Sequence, residues 1–580
     1  MLKLLKQLKA EEWLLILVLS MFVVAQVYFD IELAGYTKNI VQEMQDINST
    51  TESILTVGGT MLLFALGSAI CTAIVGLIAS YVSSKLSYRL RDKFYRTVQS
   101  FSAAEIDKFS TAGLITRCTN DIQQVQNAVL MLLRIAVSAP VTAVWAIVKI
   151  QSTSLPLTLA AGAWIVLMIV AIIVIFTIVF PKFKELQTLT DNLNEVTREN
   201  LTGLRVVRAY NAEKYQENKF DKVNSKLTKT NLFASRLTGF INPLIMLVFN
   251  GITLTIYWVG AGLINTGSGT FGFADLTSFV NLAMQVLMSF MMLTMLFIML
   301  PRASVSVNRI NEVLSTPVSI KDKAETLPIM REKEGQIVFD NVSFKYPGAD
   351  GYVLENINFE IEKGQTLAII GATGSGKSTL INLIPRLFDA TEGTVYVSGR
   401  NVKDLSQEEL HSEIGYVPQK GVLFSGTIAE NISFGGNSDK ASVVRSAEIA
   451  CADGFIEEKE KGYDSDISQG GKNVSGGQKQ RLSIARAVNV NPHILIFDDS
   501  FSALDYKTDR QVRENLKNST AYATKVIVAQ RIGTIMDADR ILVLSKGKIV
   551  GDGKHSELLR SCDEYREIAL SQLTKEELGL

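Results

Sequence analysis

Histidine is the scarcest titratable side chain here, with three in 580 residues, His411, His493 and His555, far apart in sequence. That scarcity excludes a metal centre built on closely spaced histidines. Only four cysteines occur, Cys71, Cys118, Cys451 and Cys562, and no two have metal-ligand spacing. They provide neither a zinc ribbon nor a disulfide framework, and read as small, inert thiols. Net charge is absent as well, since 58 basic residues balance 58 acidic ones. A balanced chain lacks the electrostatic footprint of a nucleic-acid binder, so no nucleic-acid partner is expected.

What the chain does have is long apolar runs, confined to its first half. At 580 residues it is too long for one core and should divide into domains. A helix needs about 20 mostly apolar residues to cross a bilayer. Segments 13–29, 53–84, 155–180, 237–262 and 276–300 qualify, and residues 155–180 carry no charge at all. A sixth candidate, 131–150, has Arg134 and Lys149 near its ends, where long side chains can snorkel. Six spans are therefore predicted, with membrane lipids as their surroundings. The amphipathic, basic opening MLKLLKQLKAEEW reads as a retained interfacial helix rather than a removed signal peptide.

Orientation follows from basic residues. Residues 30–52 carry Lys38 alone against five acidic residues, whereas 85–96 carry Lys85, Arg89, Arg91, Lys93 and Arg96 against Asp92. The first loop is thus placed outside and the second inside, with both termini cytosolic. Asn48-Ser49-Thr50 on the outer loop matches a weak glycosylation acceptor. The inner connections, 85–130 and 181–236, are long and charged. They read as helices continuing below the membrane, with AAEIDKFSTAGLITR and LTGLRVVRAYNAEKY as points of contact with something cytosolic.

After the linker KDKAETLPIMREKEG, IVFDNVSFKY (337–346) alternates like a strand. An apolar strand then runs into Gly371-Ala372-Thr373-Gly374-Ser375-Gly376-Lys377-Ser378, followed by Thr379 and an amphipathic helix. This strand–loop–helix is a complete phosphate-binding P-loop. Its glycines let backbone N–H groups face phosphate oxygens, Lys377 reaches the β- and γ-phosphates, and Ser378 holds Mg²⁺. Downstream, HILIFD reads as a buried strand ending in Asp498, a second handle on Mg²⁺.

The segment Asn473-Val474-Ser475-Gly476-Gly477-Gln478-Lys479-Gln480-Arg481 resembles the signature sequence of ABC transporters. With the P-loop and HILIFDDSFSALD in order, the whole chain resembles a half-transporter of the multidrug-exporter type. The resemblance implies an all-α six-helix transmembrane domain of the type I exporter (type IV) fold over 1–315. A linker at 316–335 and an α/β P-loop nucleotide-binding domain over 336–580 would follow. It implies that Tyr346 stacks on adenine, that Gln419 contacts Mg²⁺, and that Asp505 belongs to a D-loop communicating across a dimer. It also implies that Ser475, Gly476, Gly477 and Gln478 act on ATP held by a partner's P-loop, so the chain must pair with a homologous half. The expected setting is a bacterial cell membrane.

Two positions of the chain's own ATP site depart from the family pattern. Asp499 stands where a general-base Glu is usual, and Gln530 where a switch histidine is usual. Asp keeps the carboxylate but retracts it by about one bond, and a ~1 Å misplacement can lower a rate on the order of a hundredfold. Gln hydrogen-bonds to a γ-phosphate but carries neither proton nor charge. ATP and Mg²⁺ should bind while hydrolysis at this site is slow, with an intact signature lent to the partner. That combination resembles the degenerate-site subunit of a heterodimeric ABC exporter. Gln469 also replaces the common Glu ahead of the signature.

In the last span Met284, Met288, Met291, Met292, Met295 and Met299 fall within an arc of about 100°. Such a flexible face either lines a cavity for hydrophobic small molecules or packs against a helix or lipid. Arg134 is likewise either cavity-facing or a snorkelling anchor. The resulting expectation is an ATP-dependent exporter of hydrophobic or amphipathic compounds; lipid or peptide export and an ATP-gated regulatory role are the alternatives.

Overall fold

Apolar sequence without turn signals produces long helices through the first half. The computed structural model describes residues 9–47, 49–265 and 272–578. Asn48 and the amphipathic opening through residue 8 lie outside the described residues. By packing, the chain divides into two units, residues 1–97 with 112–315 and residues 98–111 with 316–580.

Among the described residues of the first unit, six helices are long and apolar enough to cross a membrane. They are Ala10–Gln45, Thr51–Gln99, Thr111–Gln151, Leu155–Thr202, Glu213–Asn265 and Phe273–Leu314. The fourth, with 48 residues, is about 72 Å long at ~1.5 Å per residue, over twice a ~30 Å hydrocarbon core. Most apolar windows remain exposed, the most buried being only 31% covered. Helices with so much apolar surface suit lipid or other helices as surroundings.

The unit's core joins Val27 and Ile31 of the first helix to Ala146, Met168, Ile252 and Phe279 of later ones. Helices four and five approach closely, because a Cβ on Gly251 would lie 2.7 Å from the Trp164 ring. Trp164 Nε1 donates to Thr255 Oγ1 across the same contact at 2.9 Å. Charges at both ends of the apolar zone are paired. Glu12, almost fully buried, meets Arg89 at 2.5 Å; Glu32 meets Lys149 at 2.5 Å and Asp275 meets Lys38 at 2.5 Å. Lys149, read from sequence as able to snorkel, thus has a carboxylate from the first helix beside it. Pairing limits the expense of an ionic group at membrane depth.

The second unit contains β1 (Ile337–Phe344), β2 (Leu354–Ile361), β3 (Thr366–Gly371), β4 (Glu392–Val397), β5 (Arg400–Asn401), β6 (Ile414–Val417), β7 (Gly426–Thr427), β8 (Asp466–Ile467), β9 (Ile494–Asp498), β10 (Thr524–Val528), β11 (Arg540–Ser545) and β12 (Lys548–Gly553). An antiparallel sheet runs β2-β1-β4-β5, and the main sheet runs β12-β11-β3-β10-β9-β6. Strand β1 stops short of residue 346 and loses its alternation at Asn341, where φ is 49° and the register with β2 shifts. In the main sheet β11, β3, β10, β9 and β6 are parallel, with β12 antiparallel at one edge. Buried on both faces, these strands read as continuous apolar runs, and β9 and β10 are buried at every residue. One face packs against the antiparallel sheet and the helix Lys377–Leu383. The other packs against a helical layer that includes Gly476–Asn489. The short segment Ala103–Phe109 belongs to this unit. Its Glu105 accepts from Ser102 N at 2.8 Å and from Ser319 N at 3.2 Å.

Candidate functional site: a phosphate loop at four strand ends

Parallel strands deliver their C-terminal ends to one edge of a sheet, and open α/β sheets bind ligands there. Four neighbouring strands do so here. Strand β3 ends in Gly371, β9 in Asp498, β10 two residues before Gln530, and β6 two residues before Gln419. Register holds the ends level: Val528 pairs with Asp498 and with Ile369, and Val417 pairs with Phe497. Residues spread over more than 150 positions of sequence therefore converge on one point.

The loop after β3 requires its glycines. A Cβ on Gly371 would lie 2.1 Å from Leu544 O, and Gly376 has φ 101°, a conformation L side chains rarely adopt. Lys377 Nζ donates to Gly371 O and Ala372 O, both at 2.8 Å, which folds the ammonium over the loop. The N–H groups opening the following helix have no intrahelical acceptor, and the loop presents them as a concave set of donors. Ser375 is buried, and its Oγ has no hydrogen-bond partner among the described residues. An unpaired buried hydroxyl beside such donors suits an oxygen-rich ligand such as a polyphosphate.

Ser378 Oγ donates to Asp498 Oδ1 at 3.0 Å, bringing together two of the three side chains read as Mg²⁺ contacts. Burial, the largest effect, raises Asp498 above its ordinary carboxylate range; the Ser378 bond works against this and the charge of Asp499 adds to it. Burial likewise lowers Lys377, against the pull of Asp499 and Asp498. Two adjacent buried carboxylates with a hydroxyl form an all-oxygen donor set suited to a hard divalent cation. The residues present thus fit Mg²⁺ carried by a nucleotide.

The two departures from the family pattern touch each other. Gln530 Nε2 donates to Asp499 Oδ2 at 2.8 Å, and Gln419 Nε2 approaches the same oxygen at 3.4 Å. Asp499 is buried and sits at φ 48°, with its N–H held by Val528 O at 2.9 Å. Tyr346 OH lies 3.0 Å from Thr379 Oγ1, and its ring packs edge-on against Phe344 and Phe388. Tyr346, Thr379, Lys377, Ser378, Gln419, Asp498, Asp499 and Gln530 are thereby linked to a single site.

Other residues singled out from sequence lie elsewhere. Ser475 is exposed and caps the helix Gly476–Asn489: its Oγ accepts from Gln478 N at 3.3 Å while Gln478 Oε1 accepts from Ser475 N at 3.0 Å. Gly476 is exposed beside it. Asp505 caps the helix Tyr506–Ser519 through Thr508 N at 3.0 Å. In the membrane unit, Met288, Met292 and Met295 are 50%, 47% and 54% exposed, whereas Met291 packs against the core. Met284 and Met299 are half-buried and Arg134 is exposed. Sequence reasoning missed Gln572, whose side chain reaches the loop carrying Gln530. It also missed the stacked pair Phe424–Phe434, 4.6 Å apart, with the Arg486 guanidinium over both rings. Local sequence pattern gave no signal for either contact.

Comparison with known proteins agrees with this architecture. The family model for the ABC transporter transmembrane region matches residues 13–298, and the model for the ABC transporter matches residues 354–502. An uncharacterised ABC transporter ATP-binding protein of Mycobacterium tuberculosis is 37% identical over 538 residues, covering 91% of each chain. The uncharacterised ABC transporter ATP-binding protein YfiB of Bacillus subtilis is 38% identical over 525 residues, covering 90% of this chain and 89% of its own. An ATP-dependent lipid A-core flippase of Syntrophus aciditrophicus is 32% identical over 526 residues, covering 88% and 84%. In fold, the chain superposes on a bacterial Atm1-family ABC exporter with a TM-score of 0.78, at 23% identity over 95% of this chain and 97% of that one. Six apolar helices followed by an α/β nucleotide-binding domain, matched along most of their length, place this chain in the ABC transporter family.

Proposed function

We propose that this chain is one half of a heterodimeric ATP-driven exporter of hydrophobic or amphipathic compounds, and that its own P-loop forms the slow site. In this reading Lys377, Ser378 and Asp498 hold Mg·ATP, Tyr346 stacks on the base, and Gln419 completes the metal contacts. Ser475, Gly476, Gly477 and Gln478 face ATP bound by the partner, with Asp505 near the junction. The observation that carries the proposal is the 2.8 Å bond from Gln530 Nε2 to Asp499 Oδ2. The shortened carboxylate already accepts from an amide that cannot take up a proton, so the pair is poorly suited to activating water. Charge-stabilising donors remain, which supports tight binding with slow chemistry.

Need for a partner is supported within the membrane unit. Leu204, Val206 and Tyr210, at the tip of the second inner connection, are 45%, 61% and 80% exposed. Exposed apolar side chains at a loop tip, here interleaved with Arg205 and Arg208, suit burial against another subunit. Lipid is a second cargo reading, favoured by the similarity to the lipid A-core flippase. The integral membrane placement is read as a bacterial plasma membrane with cytosolic termini.

Restoring the missing chemistry tests the proposal. The double variant Asp499→Glu/Gln530→His, purified without a heterologous partner under conditions in which two copies pair and each lends its signature to the other, should hydrolyse Mg·ATP on the order of ten- to a hundredfold faster than the natural chain in the same paired state. Equal rates for the two proteins would remove these residues as the cause of slow turnover.

A further inference from the structure

Strand β10 ends at Val528, and the loop that follows and carries Gln530 bonds to the sheet's backbone once more, through Ala529 N to Ile369 O at 3.2 Å. At and beyond Gln530 it is also held by Gln572, far along the chain. Gln572 Nε2 donates to Gln530 O at 2.8 Å, and Gln572 Oε1 accepts from Ile532 N at 2.9 Å. Both ends of one amide are thus spent on two backbone groups, one on the site residue itself and one two residues after it. Such a pairing fixes orientation as well as distance, because sliding the loop breaks both bonds together.

The clamp itself is anchored. It follows the helix Asp563–Leu570, in which Tyr565 and Ala569 are completely buried. Tyr565 OH lies 2.7 Å from His555 Nδ1, and Leu573 packs against the main core. The backbone N–H groups of Gln572 and Leu573 bond to Ala569 O at 3.1 and 2.9 Å. Core packing therefore positions the amide, the amide positions the loop, and the loop places Gln530 Nε2 on Asp499 Oδ2 at 2.8 Å.

We propose that Gln572 is a positioning residue for the nucleotide site, setting how the side chain of Gln530 meets the terminal phosphate. The proposal rests on the site reading above, in which Gln530 faces that phosphate. Gln572 touches neither the P-loop nor Tyr346 by any described hydrogen bond, so its influence should fall on ATP and not on ADP.

The test uses the full-length chain in lipid nanodiscs and the fluorescent probes mant-ATP and mant-ADP with Mg²⁺. The Gln572→Leu variant should lower the preference for ATP over ADP about fivefold, the scale of one hydrogen bond, with ADP affinity unchanged. Gln530→Leu should produce a similar loss, and combining the two should add little, as for residues acting in one chain. The Gln572→Glu variant keeps an acceptor for Ile532 N and loses the donor to Gln530 O. It should retain part of the preference, and it decides the matter if the leucine variant does not fold. If Gln530→Leu lowers the preference and neither Gln572 variant does, the role of Gln572 is overturned while the site reading stands. If Gln530→Leu itself changes nothing, the site reading fails and this proposal with it. Equal losses for ATP and ADP would reveal a merely structural clamp and overturn the positioning role.

Discussion

Asp499 occupies left-handed backbone space at φ 48°, where Asp and Asn are tolerated better than most residues. That geometry aims a short carboxylate back into the site, where Gln530 and Gln419 meet it. The identities of these residues were legible in sequence because motif spacing placed them; their mutual contact was not, since it depends on three strands ending level. A buried residue outside the site gives a pH prediction. Lys525 Nζ donates to Thr520 O at 2.7 Å and Ala523 O at 3.0 Å, and burial lowers its pKa from 10.5 to about 8. The folded state then binds fewer protons than the unfolded state between about 8 and 10.5, so this residue's contribution to stability rises with pH across that window. Below it, burial disfavours the charged form, and its two carbonyl hydrogen bonds do not fully compensate. Thermal midpoints of the natural chain should therefore gain on those of Lys525→Met between pH 8 and 10. A constant difference across that range would contradict the assignment.

At the scale of elements, the parallel sheet explains why residues read from separate local motifs converge in space. Strands β3 and β9 are apolar runs ending in a P-loop and a carboxylate, and both were visible as such. Strand β1 was less so, because the left-handed Asn341 interrupts its alternation, which pattern alone does not register. The helix Phe273–Leu314 illustrates the same limit. Its methionines share one arc by periodicity, but packing divides that arc: Met291 turns into the bundle while Met288, Met292 and Met295 stay exposed. A polarizable, adaptable face of this kind suits varied apolar cargo. Converting Met288, Met292 and Met295 together to Ala should change which compounds inside-out vesicles accumulate. An unchanged profile would assign the stripe to helix packing or lipid instead.

At the scale of the whole molecule, hydropathy marked the six helices and motif order marked the nucleotide-binding domain. Packing drew a boundary that composition did not, since residues 98–111, between two apolar helices, cluster with residues 316–580. That assignment rests on tertiary bonds such as Ser319 N to Glu105 Oε1, which local sequence does not encode. The C-terminal clamp is invisible for the same reason, because Gln572 lies 42 residues beyond Gln530. The central claim is that this chain holds ATP and turns it over slowly at its own P-loop. It is tested most directly by photocrosslinking α-labelled 8-azido-ATP to the natural chain in membranes, together with whatever partner accompanies it. The nucleotide attached to this chain is then identified at successive times after Mg²⁺ addition. The account predicts that it remains the triphosphate through many turnovers of total ATP hydrolysis; conversion to the diphosphate at the steady-state rate would contradict it.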